Sequence, residues 1–256
     1  MKWIMQFGRD AIGSFGDGLR AMKGLPWLFA AIVLWEFAQH IVEVRIGMFE
    51  SVEQARAVGG DALRMVFGWI KMLSVYLGGF FVIRYLALRN DGLALAPVGT
   101  ALGRYAPYLV YSLILFAAIF YTRAFAPAAH VDTIRAVVGL SQVLVEPLLM
   151  AWVVATATDG AIGNPLSSAR RTGWLYLYAL PLFLLVRIPI NLLHGALNSE
   201  AIGRSQGVLW SMLAVDAVVV GILIAVVPAI SVRVARRIRE KQANVTTQHA
   251  ATSVPA

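Results

Sequence analysis

The sequence predicts an all-α integral membrane protein with six transmembrane helices, and three observations lead to that prediction. First, 59% of the 256 residues are hydrophobic and 14% are charged, whereas a soluble domain has about 45–50% apolar and about 25% charged residues. Second, the apolar residues lie in six long runs that short polar connections separate. Third, the connections are alternately rich and poor in basic residues, as in a chain that crosses a membrane repeatedly.

Each apolar run is long enough to cross a bilayer, whose hydrocarbon core of about 30 Å requires about 20 helical residues. A spanning segment must satisfy its own backbone hydrogen bonds, which favours helices, and the runs lack the period-two alternation of a β-barrel. The predicted spans are residues 25–49, 66–88, 105–125, 137–158, 174–197 and 208–232. Residues 1–241 are therefore predicted to form a single transmembrane domain.

The two ends of the chain are polar. The first 25 residues lack the continuous apolar region and the small-residue cleavage site of a signal peptide, so the first span is expected to be an uncleaved anchor. Residues 242–256 are small and polar without helical periodicity, which predicts a disordered cytoplasmic tail.

Basic residues predict the orientation, because Lys and Arg accumulate in cytoplasmic connections. One side is predicted to carry fourteen of them: Lys2, Arg9, Arg20, Lys23, Arg84, Arg89, Arg104, Arg170, Arg171, Arg233, Arg236, Arg237, Arg239 and Lys241. Both termini are therefore predicted to be cytoplasmic, with the spans arranged as three hairpins in a bacterial cytoplasmic (inner) membrane. The net charge of +8 is more economically explained by anionic lipid headgroups at the cytoplasmic face than by nucleic acid, which is not an expected partner.

An internal repeat precedes the hairpins in three stretches: RDAIGSFGDGLRAMKGLPWLF, NDGLALAPVGTALGRYAPYLV and TDGAIGNPLSSARRTGWLYLY. Asp10, Asp91 and Asp159 fall in register, at offsets of 91 − 10 = 81 and 159 − 91 = 68. Each copy predicts a short cytoplasmic amphipathic helix, the first over residues 9–24, with the aspartate as its cap. The alternative is that any cytoplasmic connection converges on basic and aromatic residues. An aromatic belt on that side is predicted from Trp27, Tyr105, Tyr108, Trp174, Tyr176 and Tyr178.

The pattern of surface helix followed by span, seen in NPLSSARRTGWLYLY and APVGTALGRYAPYLV, resembles the Yip1-like group of six-helix bacterial membrane proteins. That group includes the YciC-like family and the membrane domain found beside glycerophosphodiester phosphodiesterases. The resemblance covers most of the chain. It implies the six-helix fold and a role in membrane or lipid homeostasis, and it provides no catalytic residues.

Ionisable residues inside spans are costly and tend to be functional. The predicted intramembrane polar cluster is Glu36, His40, Lys71, Glu146, Arg187 and Asp216. Its acids and bases nearly balance, which indicates pairing inside the bundle. The cluster either forms a polar cavity that binds a ligand or fixes the helices by ion pairs. Arg187 is the best candidate to contact an anionic group, because a guanidinium binds phosphate or carboxylate through two hydrogen bonds.

Metal and catalytic signatures are weak. Glu36, His40 and Glu43 share one helix face, and His194 could add a ligand from the fifth span, but no other span carries Glu-x-x-His. The sequence also lacks H-E-x-x-H and G-x-S-x-G. We therefore predict no metal, no cofactor and no catalytic residue.

Three functional hypotheses remain open. The first is a non-enzymatic membrane protein that binds lipids or organises an envelope assembly, with a membrane-protein partner or as a homo-oligomer. The second is a small secondary transporter or channel-like subunit with a polar cavity. The third is an intramembrane lipid-modifying enzyme that uses Glu36, His40 and Glu43.

Overall fold

The computed structural model describes residues 2–252, and no strand lies in that range. Three short 3₁₀ turns, Val58–Gly60, Ala128–His130 and Gly173–Leu175, connect the helices. The ten α-helices are α1 (Lys2–Gly24), α2 (Pro26–Arg45), α3 (Val52–Ala57), α4 (Ala62–Asp91), α5 (Val98–Phe120), α6 (Thr122–Phe125), α7 (Val131–Ala157), α8 (Pro165–Thr172), α9 (Tyr176–Glu200) and α10 (Gln206–Thr252).

Six helices are long and apolar enough to cross a membrane, as the sequence predicts. They are Pro26–Arg45, Ala62–Asp91, Val98–Phe120, Val131–Ala157, Pro165–Glu200 and Gln206–Ala243. Five of the six begin up to nine residues earlier in the chain than the predicted spans, because polar flanking residues continue each helix outside its apolar run. The cytoplasmic location of the termini and the division into three hairpins stay predictions.

Helix α10 is the centre of the bundle and packs against α1, α2, α4, α7 and α9. In its most apolar stretch 67% of the residues are buried, against 17% in α5, which packs mainly on α7. Small residues allow the close approach of α10: a Cβ atom on Gly18 would lie 2.7 Å from Val226, and one on Gly78 would lie 3.0 Å from Ile32 and 3.3 Å from Ile224. The bundle is therefore organised around one nearly buried helix.

Helix α1 presents its apolar stripe outward and its acidic residues inward. The side chains of Ile4, Ile12, Phe15 and Leu19 are exposed, whereas Asp10, Ser14 and Asp17 are buried against α10 and α9. A stripe of exposed apolar residues on a helix at the end of the bundle suits contact with the membrane surface. The prediction of an amphipathic first helix is thereby supported, although the helix begins at Lys2 rather than at residue 9.

The basic end of α10 binds three aspartates. Asp10 pairs with Arg233 (3.2 Å) and Arg237 (3.0 Å), and Arg233 also reaches Asp17 (2.5 Å). Asp91, the last residue of α4, pairs with Arg236 (2.7 Å) and Arg239 (2.6 Å). Four arginines that the sequence assigns to the lipid surface are therefore engaged by carboxylates of the same chain. We call this set of residues, Asp10, Asp17, Asp91, Arg233, Arg236, Arg237 and Arg239, the terminal clamp.

The prediction that the three repeat aspartates cap surface helices is wrong. Asp10 lies inside α1 and Asp91 ends α4, while Asp159 accepts a hydrogen bond from the backbone N–H of Ala161 in the turn after α7. The cap of α8 is Asn164, which accepts a hydrogen bond from the N–H of Ser167. The carboxylates of Asp10 and Asp91 instead form ion pairs with arginines of α10 that are far away in sequence.

The second hairpin has no separate surface helix, so that prediction is also wrong. Residues 98–104 continue without a break into the third span, whereas Gly173, with φ of +44°, separates α8 from α9. The residue that corresponds to Gly173 in the second copy is Tyr105 (173 − 68 = 105), which adopts ordinary helical geometry.

The end of the chain also differs from its prediction. Helix α10 continues through residues 242–252, for which the sequence predicts disorder, since the alanines and glutamines of that stretch sustain an existing helix. Residues 253–256 lie outside the described range.

Substituting Asp10 tests the terminal clamp. Asp10→Asn removes the charge that two arginines share, and we expect it to lower the free energy of unfolding by about 1.5–3 kcal/mol, the contribution of hydrogen bonds to a charged group. Thermal unfolding of the purified protein in detergent, followed by circular dichroism, measures the change. Asp132→Asn, in an exposed position at the start of α7, is the matched control and is expected to have little effect.

The same carboxylate predicts a pH dependence. Burial acts to raise the pKa of Asp10, but hydrogen bonds from Arg237 and Tyr178 and the charge of Arg237 outweigh it and hold the pKa below the ordinary value of 3.8. Because the folded state has the lower pKa, the stabilisation is complete above pH 3.8 and is lost as the pH falls below it. Between about pH 5 and pH 2, wild type should lose more stability than Asp10→Asn; parallel losses would contradict the clamp.

Candidate functional site

Helix α2 directs a row of polar side chains into the bundle. Glu36, His40 and Glu43 recur at helical spacing, so they lie on one face, and each is at most 3% exposed. Gln39 lies beside them and donates a hydrogen bond to Glu43 (3.0 Å). This face meets α4 and α10, and charged groups at such a depth must find partners on those helices.

Helix α4 supplies two cations to this face. The Nζ atom of Lys71 lies 2.6 Å from Oε1 of Glu36. One end of the row is closed by Arg64, whose Nε donates to Oε1 of Glu43 at 3.1 Å. Arg64 lies in the first turn of α4, where Asp61 caps the helix by accepting a hydrogen bond from its N–H (3.0 Å). Both buried glutamates thus have a cationic partner.

Helix α10 contributes Asp216, which is completely buried and lies within hydrogen-bond distance of three polar side chains. Nε2 of His40 lies 3.1 Å from its Oδ2, and Nδ1 of His194 lies 2.7 Å from its Oδ1. Asn198, one turn after His194 on α9, donates to Oδ2 at 2.8 Å. On its other side, His40 bonds Glu43 through Nδ1 at 3.0 Å. His40 therefore links α2 to α10, and Asp216 links α10 to α9.

These side chains form one connected set, which we call the buried network: Glu36, Gln39, His40, Glu43, Arg64, Lys71, His194, Asn198 and Asp216. A cavity of about 290 Å³ lies against it. Lys71 and His194 belong to both the network and the cavity wall. The other polar residues of the wall are Tyr76, Tyr105, Tyr108, Gln142, Glu146, Arg187 and Ser231, and the remaining wall is mainly apolar residues of α4 and α10.

Glu146 and Arg187 line the cavity without pairing with each other. Glu146 accepts a hydrogen bond from the Tyr108 hydroxyl through Oε1, while its Oε2 is buried and has no hydrogen-bond partner. The Arg187 guanidinium lies 5.0 Å from the centre of the Phe183 ring. Within the part of the chain that the structure describes, Arg187 makes no hydrogen bond and no ion pair. Arg187 is thus a cation on the cavity wall with free bonding capacity, and the wall residue Glu146 has one buried carboxylate oxygen without a partner.

The six residues of the predicted polar cluster are divided between these two places. Glu36, His40, Lys71 and Asp216 join in the buried network, and Glu146 and Arg187 lie on the cavity wall. Pairing inside the bundle, which the charge balance predicts, is present between Glu36 and Lys71. Glu146 and Arg187 make no ion-pair contact, although they lie close enough on the cavity wall for their charges to interact.

Several network and cavity residues were not among the predicted site residues. The predicted second span begins at residue 66 and leaves Arg64 in a polar connection. Helix α4 begins at Ala62 and therefore includes Arg64. Gln39 and Asn198 could have been suspected, because each lies one helical turn from an ionisable partner (Glu43 and His194). Tyr108 was assigned to the aromatic belt, but it is buried with its hydroxyl on Glu146.

The aromatic belt stays a prediction for Trp27 and Trp174, and it is wrong for three of the tyrosines. Trp27 and Trp174 are 86% and 83% exposed, as residues of an interfacial belt would be. Tyr105, Tyr108 and Tyr178 are instead buried in the core, where Tyr178 bonds Asp10.

The chain matches no known protein-family model, no curated protein and no solved structure. The resemblance to the Yip1-like group consequently rests on the sequence pattern alone.

A double-mutant cycle tests whether the network holds the bundle together. Lys71→Met leaves the Glu36 carboxylate buried without its cation, and we expect it to reduce the free energy of unfolding by about 3–5 kcal/mol. In the double variant Glu36→Gln/Lys71→Met, much of that loss should return, because no unpaired charge remains. Equilibrium unfolding in mixed micelles measures each corner of the cycle.

The chain supplies its own control pair. Glu200 and Arg204 form an exposed ion pair at 2.9 Å, with side chains 65% and 53% exposed, and such pairs have coupling energies of about 0–1 kcal/mol. A coupling between Glu36 and Lys71 no larger than that of the control pair would contradict a stabilising role for the network.

Proposed function

We propose that this protein is a non-enzymatic lipid-binding membrane protein whose cavity holds a headgroup with both a phosphate and an amine. The observation that carries the proposal is the pair of unsatisfied groups on one cavity wall, the Arg187 guanidinium and the Oε2 atom of Glu146. A cation inside a membrane span is costly without a partner. A ligand that brings an anion to Arg187 supplies that partner.

Arginine suits phosphate better than any other side chain. Its planar guanidinium donates two parallel hydrogen bonds to phosphate oxygens, and it is more weakly hydrated than an ammonium group. Arg187 is also oriented by its contact with Phe183 and needs little reorganisation on binding. A phosphodiester in the cavity is therefore the expected partner of Arg187.

Glu146 implies that the ligand carries a cationic group in addition to its phosphate. A purely anionic headgroup would place its charge near a carboxylate on the same wall, whereas a primary ammonium would donate a hydrogen bond to the free Oε2 of Glu146. The Tyr108 hydroxyl fixes the other oxygen of Glu146, so the carboxylate is held ready. The matching lipid class is phosphatidylethanolamine.

The size of the cavity supports a headgroup rather than a whole lipid. Its volume of about 290 Å³ is at the small end of ligand pockets, which span about 300–1,000 Å³. The acyl chains would lie outside it, along exposed apolar side chains of α9 such as Leu185 and Ile188. These residues flank Arg187 in sequence and present an apolar surface of the kind that lipid chains contact.

A second candidate function, a small transporter, uses the same cavity. It is favoured by the prolines inside α7, α9 and α10, of which Pro228 lines the cavity and Pro147 follows Glu146 directly. Proline removes a helical hydrogen bond and permits bending at that position. This function predicts solute flux in liposomes that Arg187→Ala abolishes while the protein stays folded.

Native mass spectrometry tests the lipid-binding proposal. The protein is exchanged into mild detergent with equal amounts of phosphatidylethanolamine, phosphatidylglycerol and phosphatidylcholine, and the retained lipid is identified. We expect one phosphatidylethanolamine per chain. Arg187→Ala should reduce retention of every phospholipid roughly 10-fold or more, since a charge-assisted hydrogen bond contributes about 1.5–3 kcal/mol. Glu146→Gln should reduce the preference for phosphatidylethanolamine over phosphatidylglycerol.

Arg204→Ala is the matched control, because Arg204 is an exposed arginine away from the cavity. It should leave lipid retention unchanged. Wild-type protein that retains no lipid, or a folded Arg187→Ala variant that retains as much as wild type, would overturn the proposal.

A further inference from the structure

The donor atoms of Glu36, His40 and Asp216 converge at one buried point where three helix faces meet. Nε2 of His40 lies 3.1 Å from Oδ2 of Asp216 and 3.7 Å from Oε1 of Glu36. One donor atom from each residue lies within 4.8 Å of the other two. We propose that these three side chains bind one divalent transition-metal ion of the Zn²⁺ class.

The spacing of the donors suits a tetrahedral ion. Zn²⁺ binds His nitrogen and carboxylate oxygen at about 2.0–2.2 Å, so two donors in a tetrahedral site lie about 3.3–3.5 Å apart. The separations of 3.1 and 3.7 Å bracket that value. The donor atoms of Glu36 and Asp216 lie within 4.8 Å of each other, and an ion bound by all three residues leaves a fourth position for water or another small ligand.

A second observation points to a ligand at the same place. Lys71 bonds only Oε1 of Glu36, and the Oε2 atom of that carboxylate is buried without a hydrogen-bond partner. Glu36 itself is 1% exposed, and an unsatisfied buried oxygen destabilises the folded state. A metal ion bound by this carboxylate would bring a cation close to the unpartnered Oε2 as well as to Oε1, which also accepts a hydrogen bond from Lys71.

The residues around the three ligands orient them as outer contacts do in metal proteins. A metal-bound histidine commonly donates its other ring N–H to a carboxylate, and Nδ1 of His40 lies 3.0 Å from Oε2 of Glu43. With that proton on Nδ1, the lone pair of Nε2 is directed at the carboxylates of Glu36 and Asp216. Nε2 of His40 and the carboxylate oxygens of Glu36 and Asp216 are then all hydrogen-bond acceptors, so a cation must lie between them. Either a metal ion or a second proton on His40 is such a cation.

The donor set selects the class of ion. One imidazole with two carboxylates suits Zn²⁺ and other first-row divalent metals, whereas Mg²⁺ and Ca²⁺ prefer oxygen donors alone. The site lies next to the cavity, since Lys71, which bonds Glu36, and His194, which bonds Asp216, are on the cavity wall. The three ligands are otherwise enclosed.

The test uses the full-length chain without an affinity tag, stripped with a chelator in mild detergent and then dialysed against micromolar Zn²⁺. Elemental analysis should find one Zn²⁺ per chain, and Zn²⁺ should raise the temperature of thermal unfolding. Substituted with Co²⁺, the protein should show the visible absorption of a tetrahedral site. Both signals should disappear in His40→Gln and Asp216→Asn.

Two further variants keep the test decisive if a ligand substitution fails to fold. Glu43→Gln retains all three ligands and disturbs only the orientation of His40, so it should weaken Zn²⁺ affinity about 10–100-fold. His130→Gln removes an exposed histidine that is not part of the buried network. This variant should bind Zn²⁺ like wild type. Arg187→Ala should also retain Zn²⁺, which separates this proposal from that of the lipid.

Three results would overturn the metal site. They are a wild-type protein without stoichiometric Zn²⁺, a folded His40→Gln or Asp216→Asn variant that binds as well as wild type, and a Glu43→Gln variant of unchanged affinity.

Discussion

The cost of placing a charge inside a membrane governs this structure. Within a bilayer a carboxylate or an ammonium group must find its counter-charge and its hydrogen bonds on a neighbouring helix. Asp216 does so on the most central helix, where His40, His194 and Asn198 reach it from two others. Apolar packing fixes the approach of the helices, and the hydrogen bonds of this set form in one register only. The buried network therefore selects the arrangement of α2, α9 and α10.

The terminal clamp applies the same constraint at the basic end of the bundle. Helix α1 turns its aspartates towards the arginines of α10, and its apolar stripe remains on the outside. This is the reverse of an amphipathic helix on a soluble protein, and it is the expected arrangement where lipid surrounds the chain. Because Asp10 and Asp91 bind arginines of α10, both α1 and α4 are tied to the central helix. Less of the formal positive charge is then free for lipid headgroups than the composition suggests.

Sequence periodicity and composition could predict the features that depend on residues close together in sequence, namely the spans and the helix faces. Six spans follow from the lengths of the apolar runs, and the shared face of Glu36 and His40 follows from their separation of four residues. The partners of these groups could not be predicted, since Asp216 is 176 positions from His40 and Arg237 is 227 positions from Asp10. Such contacts depend on which helices are neighbours. The second hairpin lacks a separate surface helix because of one residue. Gly173 breaks the helix in the third copy by adopting a positive φ, and the corresponding Tyr105 does not adopt one.

Within residues 2–252, Arg84 has no carboxylate partner but donates hydrogen bonds to the carbonyls of Ala157 and Ala96. Arg187 makes no hydrogen bond and no ion pair with the described residues, and the proposed function depends on that difference. An experimental structure in nanodiscs made from native-like phospholipid is the most direct measurement. We expect headgroup density in the cavity, with phosphate oxygens within hydrogen-bond distance of the Arg187 guanidinium and an amine near Glu146. A structure in which Arg187 bonds Glu146 directly and the cavity is closed would contradict the proposed lipid site.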